Sequence, residues 1–225
     1  MSHPLCLLFD CDGTLVDSEP LLADVMADVL TRAGLPFAAS QYMEEFRGVR
    51  FANIVAELER RFGALNDATR DAAEAEMRHT MQTRMSTELK PIPGIREALD
   101  RLTEHPRCVA SNGPEHKIRR ALDSTGLRAY FGDRLYSGYT IERWKPDPEL
   151  FLHAARAMGV TPERCVVIDD ADVGVAAGLA AGMRTIHINR FPEREATPEG
   201  AIALHHMRDL PSAVARLEQV EAVLH

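Results

Sequence analysis

Five short apolar runs, each ending at or beside a polar residue, constrain this chain more than any other feature. They are Leu5–Phe9 before Asp10, Cys108–Ala110 before Ser111, the weaker Leu135–Ser137, Cys165–Ile168 before Asp169, and Thr185–Ile188. Short apolar runs bounded by polar residues suit strands buried on both faces, as in a parallel sheet. Helical patterns lie between them at Gly94–Thr103, His116–Thr125, Pro148–Met158 and Val173–Ala181. The alternation predicts an α/β fold, a Rossmann-like doubly wound parallel sheet. Gly182, between the Ala-rich helix and the fifth run, is expected as a left-handed C-cap.

One interval breaks the alternation. From Val16 to Ser86 there is no strand-like run. Leu21, Leu22, Val25, Met26, Val29 and Leu30 share one helical face. Ile54, Val55, Leu58 and Phe62 form a second, and Met77, Met81 and Met85 a third. Ser18 reads as the first N-cap, with Pro20 in the first turn. The expectation is a helical domain at residues 16–86, set into a core made of residues 1–15 and 87–225. The chain re-enters that core through the stiff Lys90-Pro91-Ile92-Pro93-Gly94 segment. The methionine stripe reads as packing between the inserted helices. Phe191–Gly200 reads as a loop. Asp209–Leu224 reads as a final helix with the stripe Leu210, Val214, Leu217 and Leu224.

A length of 225 residues accommodates a core with one insertion. Lys and Arg number 26 against 34 Asp and Glu, a net charge of −8. That balance argues against a nucleic acid or an anionic membrane as partner, since both call for a cationic surface. The longest charge-free stretches have eleven residues, short of the roughly 20 that span a bilayer. Leu5–Phe9 is too short for a signal-peptide core. Cys6, Cys11, Cys108 and Cys165 have no metal-binding spacing and read as buried thiols in a reducing compartment. The expected location is the cytoplasm.

In open α/β sheets, ligands bind beyond the carboxyl ends of the strands. Those ends carry Asp10, Ser111 and Asp169, with Asp12, Asn112 and Asp170 beside them. Four carboxylates gathered at one edge repel each other, and a hard cation such as Mg²⁺ is their natural partner.

The segment Asp10-Cys-Asp-Gly-Thr-Leu-Val-Asp-Ser-Glu19 resembles the first motif of the haloacid dehalogenase-like (HAD) hydrolases. Ser111 is similar to their second motif and Lys145-Pro-Asp-Pro148 to their third. Asp169-Asp170, followed by Gly174, Ala176, Ala177 and Ala180-Ala-Gly-Met183, is similar to the fourth. The helical insertion sits where the family carries its C1-type cap. The resemblance implies a Mg²⁺-dependent phosphatase with a cap that closes over substrate. Asp10 is then the nucleophile that forms an aspartyl-phosphate. Asp12 is the general acid toward the leaving alkoxide and then the base toward water. Ser111 and Lys145 hold the phosphoryl oxygens. Asp10, the Asp12 carbonyl and Asp170 ligate Mg²⁺, with Asp169 direct or through water. An acid at position 12 favours phosphoryl transfer over dehalogenation, because a departing halide needs no proton. The insertion has no lysine for a Schiff base, which disfavours the phosphonate-cleaving branch.

Ala110-Ser-Asn-Gly-Pro114, Tyr136–Pro148 and Phe46-Arg-Gly-Val49 resemble the bacterial sugar phosphatases, above all those acting on 6-phosphogluconate. The implied partner is a small phosphorylated metabolite, a sugar or sugar acid, whose second anion Arg47 and Arg50 are placed to meet. A solvated arginine pair on a helix is the plainer reading of those two. Asn112 either contacts phosphate or substrate or shapes the turn before Gly113-Pro114. Asp172 reads as a first-turn helix acid and Trp144 as a packing anchor. Rival readings are a phosphomutase of the β-phosphoglucomutase kind, a phosphoglycolate phosphatase, and a non-catalytic phospho-ligand sensor. The last is opposed by the presence of both Asp10 and Asp12.

Overall fold

The computed structural model describes residues 4–47 and 49–223, the side chains of 220–223 excepted. The chain divides into two compact units. One is Asp17–Leu89; the other comprises the described residues through Val16 and from Lys90 onward. The insertion thus starts one residue and ends three residues later than the sequence pattern suggests, because its last helix runs on to Glu88.

The discontinuous unit is built on strands β1 (Cys6–Phe9), β2 (Val16–Asp17, which crosses the joint), β3 (Lys90–Pro91), β4 (Arg107–Ser111), β5 (Leu135–Ser137), β6 (Cys165–Asp169), β7 (Arg184–Ile188) and β8 (Ile202–Leu204). Six of them form a parallel sheet in the order β5-β4-β1-β6-β7-β8, and β2 pairs with β3 separately. Strand β1 is central: Leu8 is in register with Cys108 on one side and Val167 on the other. Its four residues are fully buried, which explains why the run is apolar at every position rather than at alternate ones. The strand order reverses beside β1, so the crevice of a doubly wound sheet lies at its carboxyl end.

In the helical unit, α1 (Glu19–Arg32), α2 (Ala39–Gln41), α3 (Phe51–Phe62) and α4 (Asp67–Glu88) enclose a core of their own. Ala23, Met26 and Leu30 meet Leu35, Phe37, Tyr42, Phe46, Ile54, Val55 and Leu58 there. Met77 packs against this cluster and Met85 is buried. Phe62 departs from the expected apolar face and is 52% exposed. It is the last residue of α3, and Gly63 follows it at φ +112°. Ser18 precedes α1 but makes no side-chain cap bond. Asn66 does cap α4, accepting the Thr69 N–H at 2.8 Å.

The helices of the sheet unit are α5 (Ile95–Arg101), α6 (Glu115–Ser124), α7 (Arg128–Phe131), α8 (Gly138–Ile141), α9 (Glu149–Met158), α10 (Asp172–Ala180) and α11 (Leu210–Val223). On one sheet face, Cys6, Leu8, Cys108, Ala110 and Val167 pack with Leu150, Phe151, Ala154 and Ala155 of α9. The small residues of α10 let it lie close to β6 and β7. A β-carbon at Gly178 would fall 2.6 Å from Thr185 Oγ1 and 3.0 Å from Val167 Cβ. Gly182, at φ +71°, ends that helix as expected, and the Met183 N–H reaches back to the Gly178 carbonyl at 3.1 Å.

Strand β8 was not legible: it is a three-residue edge strand with Ile202 and Ala203 exposed. Trp144 does pack, but at the surface. It is exposed and meets the exposed Tyr139 ring edge-on at 5.6 Å. All four cysteines are free and buried. Leu224 lies outside the described residues. Among the described residues, no helix is long and apolar enough to cross a membrane.

Candidate active site

The site is built at the carboxyl ends of β1, β4 and β6. Asp10 follows β1 directly and is still tied to the sheet, its N–H donating to the Ile168 carbonyl at 2.9 Å. The chain then turns sharply. The Leu15 and Val16 N–H groups both donate to the Cys11 carbonyl, and Gly13 N–H donates to the Val16 carbonyl at 2.8 Å. Gly13 is required twice over. Its φ is +88°, and a β-carbon there would fall 2.1 Å from Asp170 Oδ2. The hydroxyl of Thr14 donates to Asp170 Oδ1 at 2.9 Å. The loops after β1 and β6 are therefore locked to each other by a glycine and a hydroxyl.

Lys145 binds the first strand to the fourth motif. Its Nζ donates to Asp10 Oδ1 at 2.6 Å and to Asp169 Oδ2 at 2.8 Å. It also lies 4.8 Å from the centre of the Phe151 ring. The side chain is only 3% exposed, so this lysine is an internal cation. Asn112 holds it there. The Asn112 Oδ1 accepts the Lys145 N–H at 2.8 Å, and Nδ2 donates to the Lys145 carbonyl at 3.2 Å. Both ends of the Asn112 amide are thus engaged with main chain. Ser111 is buried at the end of β4, where its Oγ accepts the Gly113 N–H at 3.1 Å. The Ser137 hydroxyl steadies the same loop, donating to the Gly113 carbonyl at 2.7 Å.

Electrostatics follow from this burial. Desolvation pushes the Asp10 carboxyl up to about 7; the Lys145 ammonium opposes the rise, and the charges of Asp169 and Asp12 add to it. Burial alone favours a neutral Lys145, but Asp10 and Asp169 outweigh it and hold the ammonium form. Oxygens of Asp10, Asp169 and Asp170 lie within 4.8 Å of one another. One buried ammonium does not offset three carboxylates. The set is all oxygen, with neither thiolate nor imidazole, and so fits a hard divalent cation.

Asp10, Ser111, Asn112, Lys145, Asp169 and Asp170 are brought together with Asp12. Arg47 and Arg50 come from another part of the chain. They belong to the helical unit, where the Arg47 guanidinium lies 4.0 Å from the Glu19 carboxylate and Arg50 directly precedes α3. Asp172 occupies the first turn of α10, as expected.

Two neighbours of the site escape sequence reasoning. Lys117, in the first turn of α6, donates from Nζ to Asp12 Oδ2 at 3.2 Å, and the Asp12 charge raises its pKa. A cation at the positive end of a helix is locally unfavourable, and that conflict is the signal that marks it. His187 is buried in β7 between the Thr197 hydroxyl, 3.0 Å from Nδ1, and the Asp170 carbonyl, 3.2 Å from Nε2. Its signal is a polar ring inside an otherwise apolar run.

Residues 5–182 match the haloacid dehalogenase-like hydrolases. The chain belongs to that family. Over 212 residues this hydrolase is 34% identical to the 6-phosphogluconate phosphatase of Escherichia coli K12, covering 94% of this chain and 95% of that one. It is 33% identical over 188 residues to a fructose-1-phosphate phosphatase of the same organism, covering 81% and 95% respectively. Its fold is similar to that of a conserved haloacid dehalogenase-like protein from Agrobacterium tumefaciens. The TM-score is 0.78 at 34% identity, with 96% and 99% of the two chains covered. With phosphatase relatives along most of its length, this hydrolase is a phosphatase.

Proposed function

We propose that this phosphatase hydrolyses a small phosphorylated sugar or sugar acid, with 6-phosphogluconate as the best-fitting substrate, and that it uses Mg²⁺. The observation that carries the chemistry is the buried contact of Lys145 with both Asp10 and Asp169, at 2.6 and 2.8 Å. It brings an ammonium and two carboxylates together where β1 and β6 end, which supports reading Asp10 as nucleophile, Lys145 as phosphate-binding cation and Asp169 as a metal-site carboxylate. The substrate reading is supported by the nearly full-length likeness to a 6-phosphogluconate phosphatase.

Asp10 attacks phosphorus through a carboxylate oxygen, and an aspartyl-phosphate forms as the ester oxygen leaves. Asp12 protonates that departing alkoxide. It then takes a proton from the water that attacks the phosphoryl group, which frees Asp10 and inorganic phosphate. Lys145 and the Ser111 hydroxyl hold the phosphoryl oxygens, Lys145 by charge and Ser111 by hydrogen bonding. Asn112 fixes the Lys145 main chain, so the ammonium is positioned before substrate arrives. Asp10, Asp170 and the Asp12 carbonyl would hold Mg²⁺, with Asp169 direct or through water. The ion's charge allows a carboxylate to approach a phosphate.

The test is release of inorganic phosphate from a panel containing 6-phosphogluconate, fructose 1-phosphate, phosphoglycolate and β-glucose 1-phosphate. The expected result is the highest kcat/KM for 6-phosphogluconate. No release from that compound overturns the substrate assignment. Conversion of β-glucose 1-phosphate to glucose 6-phosphate without free phosphate marks a mutase instead.

A further inference from the structure

We propose that Lys117 reads a carboxylate on the organic part of the substrate and so sets a preference for sugar acid phosphates over neutral sugar phosphates. The inference rests on the phosphatase reading above, in particular on Asp12 as the group that meets the leaving oxygen.

Two lysines flank the catalytic acids in opposite settings. Lys145 is 3% exposed and engaged by two carboxylates. Lys117 is 44% exposed and, among the described residues, forms its ion pair with Asp12 alone, at 3.2 Å. The first is enclosed with the phosphoryl-transfer groups. The second is open to an incoming molecule. Asp12 shows which part of that molecule it meets. Its Oδ2 is taken by Lys117, while Oδ1 is buried without a hydrogen-bond partner. The unpartnered oxygen is the one left to face the ester oxygen of a substrate. The Lys117 ammonium, on the other oxygen of the same carboxylate, is then set to one side of the ester oxygen, along the course of the organic group, where the far end of a six-carbon chain can come within its reach.

An ammonium has three N–H donors, and Asp12 takes one. Its flexible four-carbon stem lets it follow a ligand. The two N–H donors left on the ammonium call for an acceptor, and an anionic one is held most strongly. Asp10, Asp12, Asp169 and Asp170 already crowd this edge, so a carboxylate, with one negative charge, is repelled less there than a second phosphate dianion. Lys117 also stands in the first turn of α6, where a cation is disfavoured by the helix itself, so its place there is not explained by helix stability.

The experiment compares 6-phosphogluconate with glucitol 6-phosphate, its neutral counterpart in which a hydroxymethyl group replaces the carboxylate. The readout is the ratio of the two kcat/KM values in the unmodified enzyme, Lys117→Gln and Lys117→Arg. Loss of the cation is expected to lower the acid-to-neutral ratio about tenfold or more, with much of it regained in Lys117→Arg. A role confined to steadying Asp12 would slow both substrates together and leave the ratio unchanged. An unchanged ratio in Lys117→Gln overturns the inference and leaves the phosphatase reading intact. An unmodified enzyme that releases phosphate from neither compound overturns both the inference and the assignment of a six-carbon sugar acid phosphate as substrate.

Discussion

The carboxylate of Asp169 rests against the bare α-carbon of Gly174, so closely that a β-carbon built there falls 1.9 Å from Asp169 Oδ2. Gly174 is in the first turn of α10, and the same carboxylate is held on its other side by the Ala171 N–H and Lys145 Nζ. Alanine is a better helix former than glycine, so Gly174→Ala is expected to keep the fold while displacing Asp169. Disturbing a group that orients a metal site typically costs about 10–100-fold in metal affinity or activity. The expected outcome is a rise of that order in the Mg²⁺ concentration giving half-maximal phosphate release, with an unchanged circular dichroism spectrum. Wild-type Mg²⁺ dependence in the alanine variant would remove Asp169 from the metal site.

Much of this site is legible in the sequence because parallel strands end where ligands bind. Asp10, Ser111 and Asp169 each close an apolar run, and their convergence needs only the sheet order. What periodicity misses is contact across the chain. Nothing near Lys145 in sequence announces that it reaches a carboxylate 135 positions away. The link between Thr14 and Asp170 spans 156, and Lys117 meets Asp12 across 105. The fold's omissions have a similar cause. β8 is three residues long and half-exposed, and Trp144 packs on a surface tyrosine. Neither leaves the unbroken apolar signature that marks β1 or β6.

Asp10→Asn isolates the nucleophile. Burial already pushes the Asp10 carboxyl up to about 7, and the amide has nearly the same shape, so the folded state tolerates the exchange. Lys145 keeps Asp169 as a partner at 2.8 Å. Phosphate release is expected to fall by about a thousandfold or more, with Tm shifted by no more than about 5 °C. Near-normal turnover in a correctly folded variant would rule out Asp10 as the attacking group.

Lys145→Met tests whether the carboxylates depend on their internal cation. The variant leaves Asp10 and Asp169 buried and facing each other without the ammonium between them. Removing one partner of a buried ion pair commonly costs about 3–5 kcal/mol. Guanidinium denaturation should show a loss of that order in metal-free buffer, together with loss of phosphatase activity. Added Mg²⁺ should recover part of the stability, because a bound cation stabilises the state that binds it. Denaturation curves that coincide with those of the unmodified protein would mean that the carboxylates are not held by Lys145 in solution.

Metal removal probes the same imbalance in the unmodified enzyme. Three carboxylate oxygens within 4.8 Å and a single buried ammonium leave the centre short of positive charge, and a phosphate substrate adds more negative charge. Chelation with EDTA is therefore expected to abolish phosphate release, and Mg²⁺ in excess to restore it. Binding is measured separately by calorimetry on the chelated protein. One Mg²⁺ per chain is expected, with affinity weakened in Asp170→Asn. That carboxylate accepts from Thr14 at 2.9 Å and abuts Gly13, contacts that an amide of the same shape largely keeps, so the variant changes charge more than structure. Full activity in EDTA, or equal Mg²⁺ affinity in Asp170→Asn, would show that the acidic cluster serves some purpose other than holding a cation.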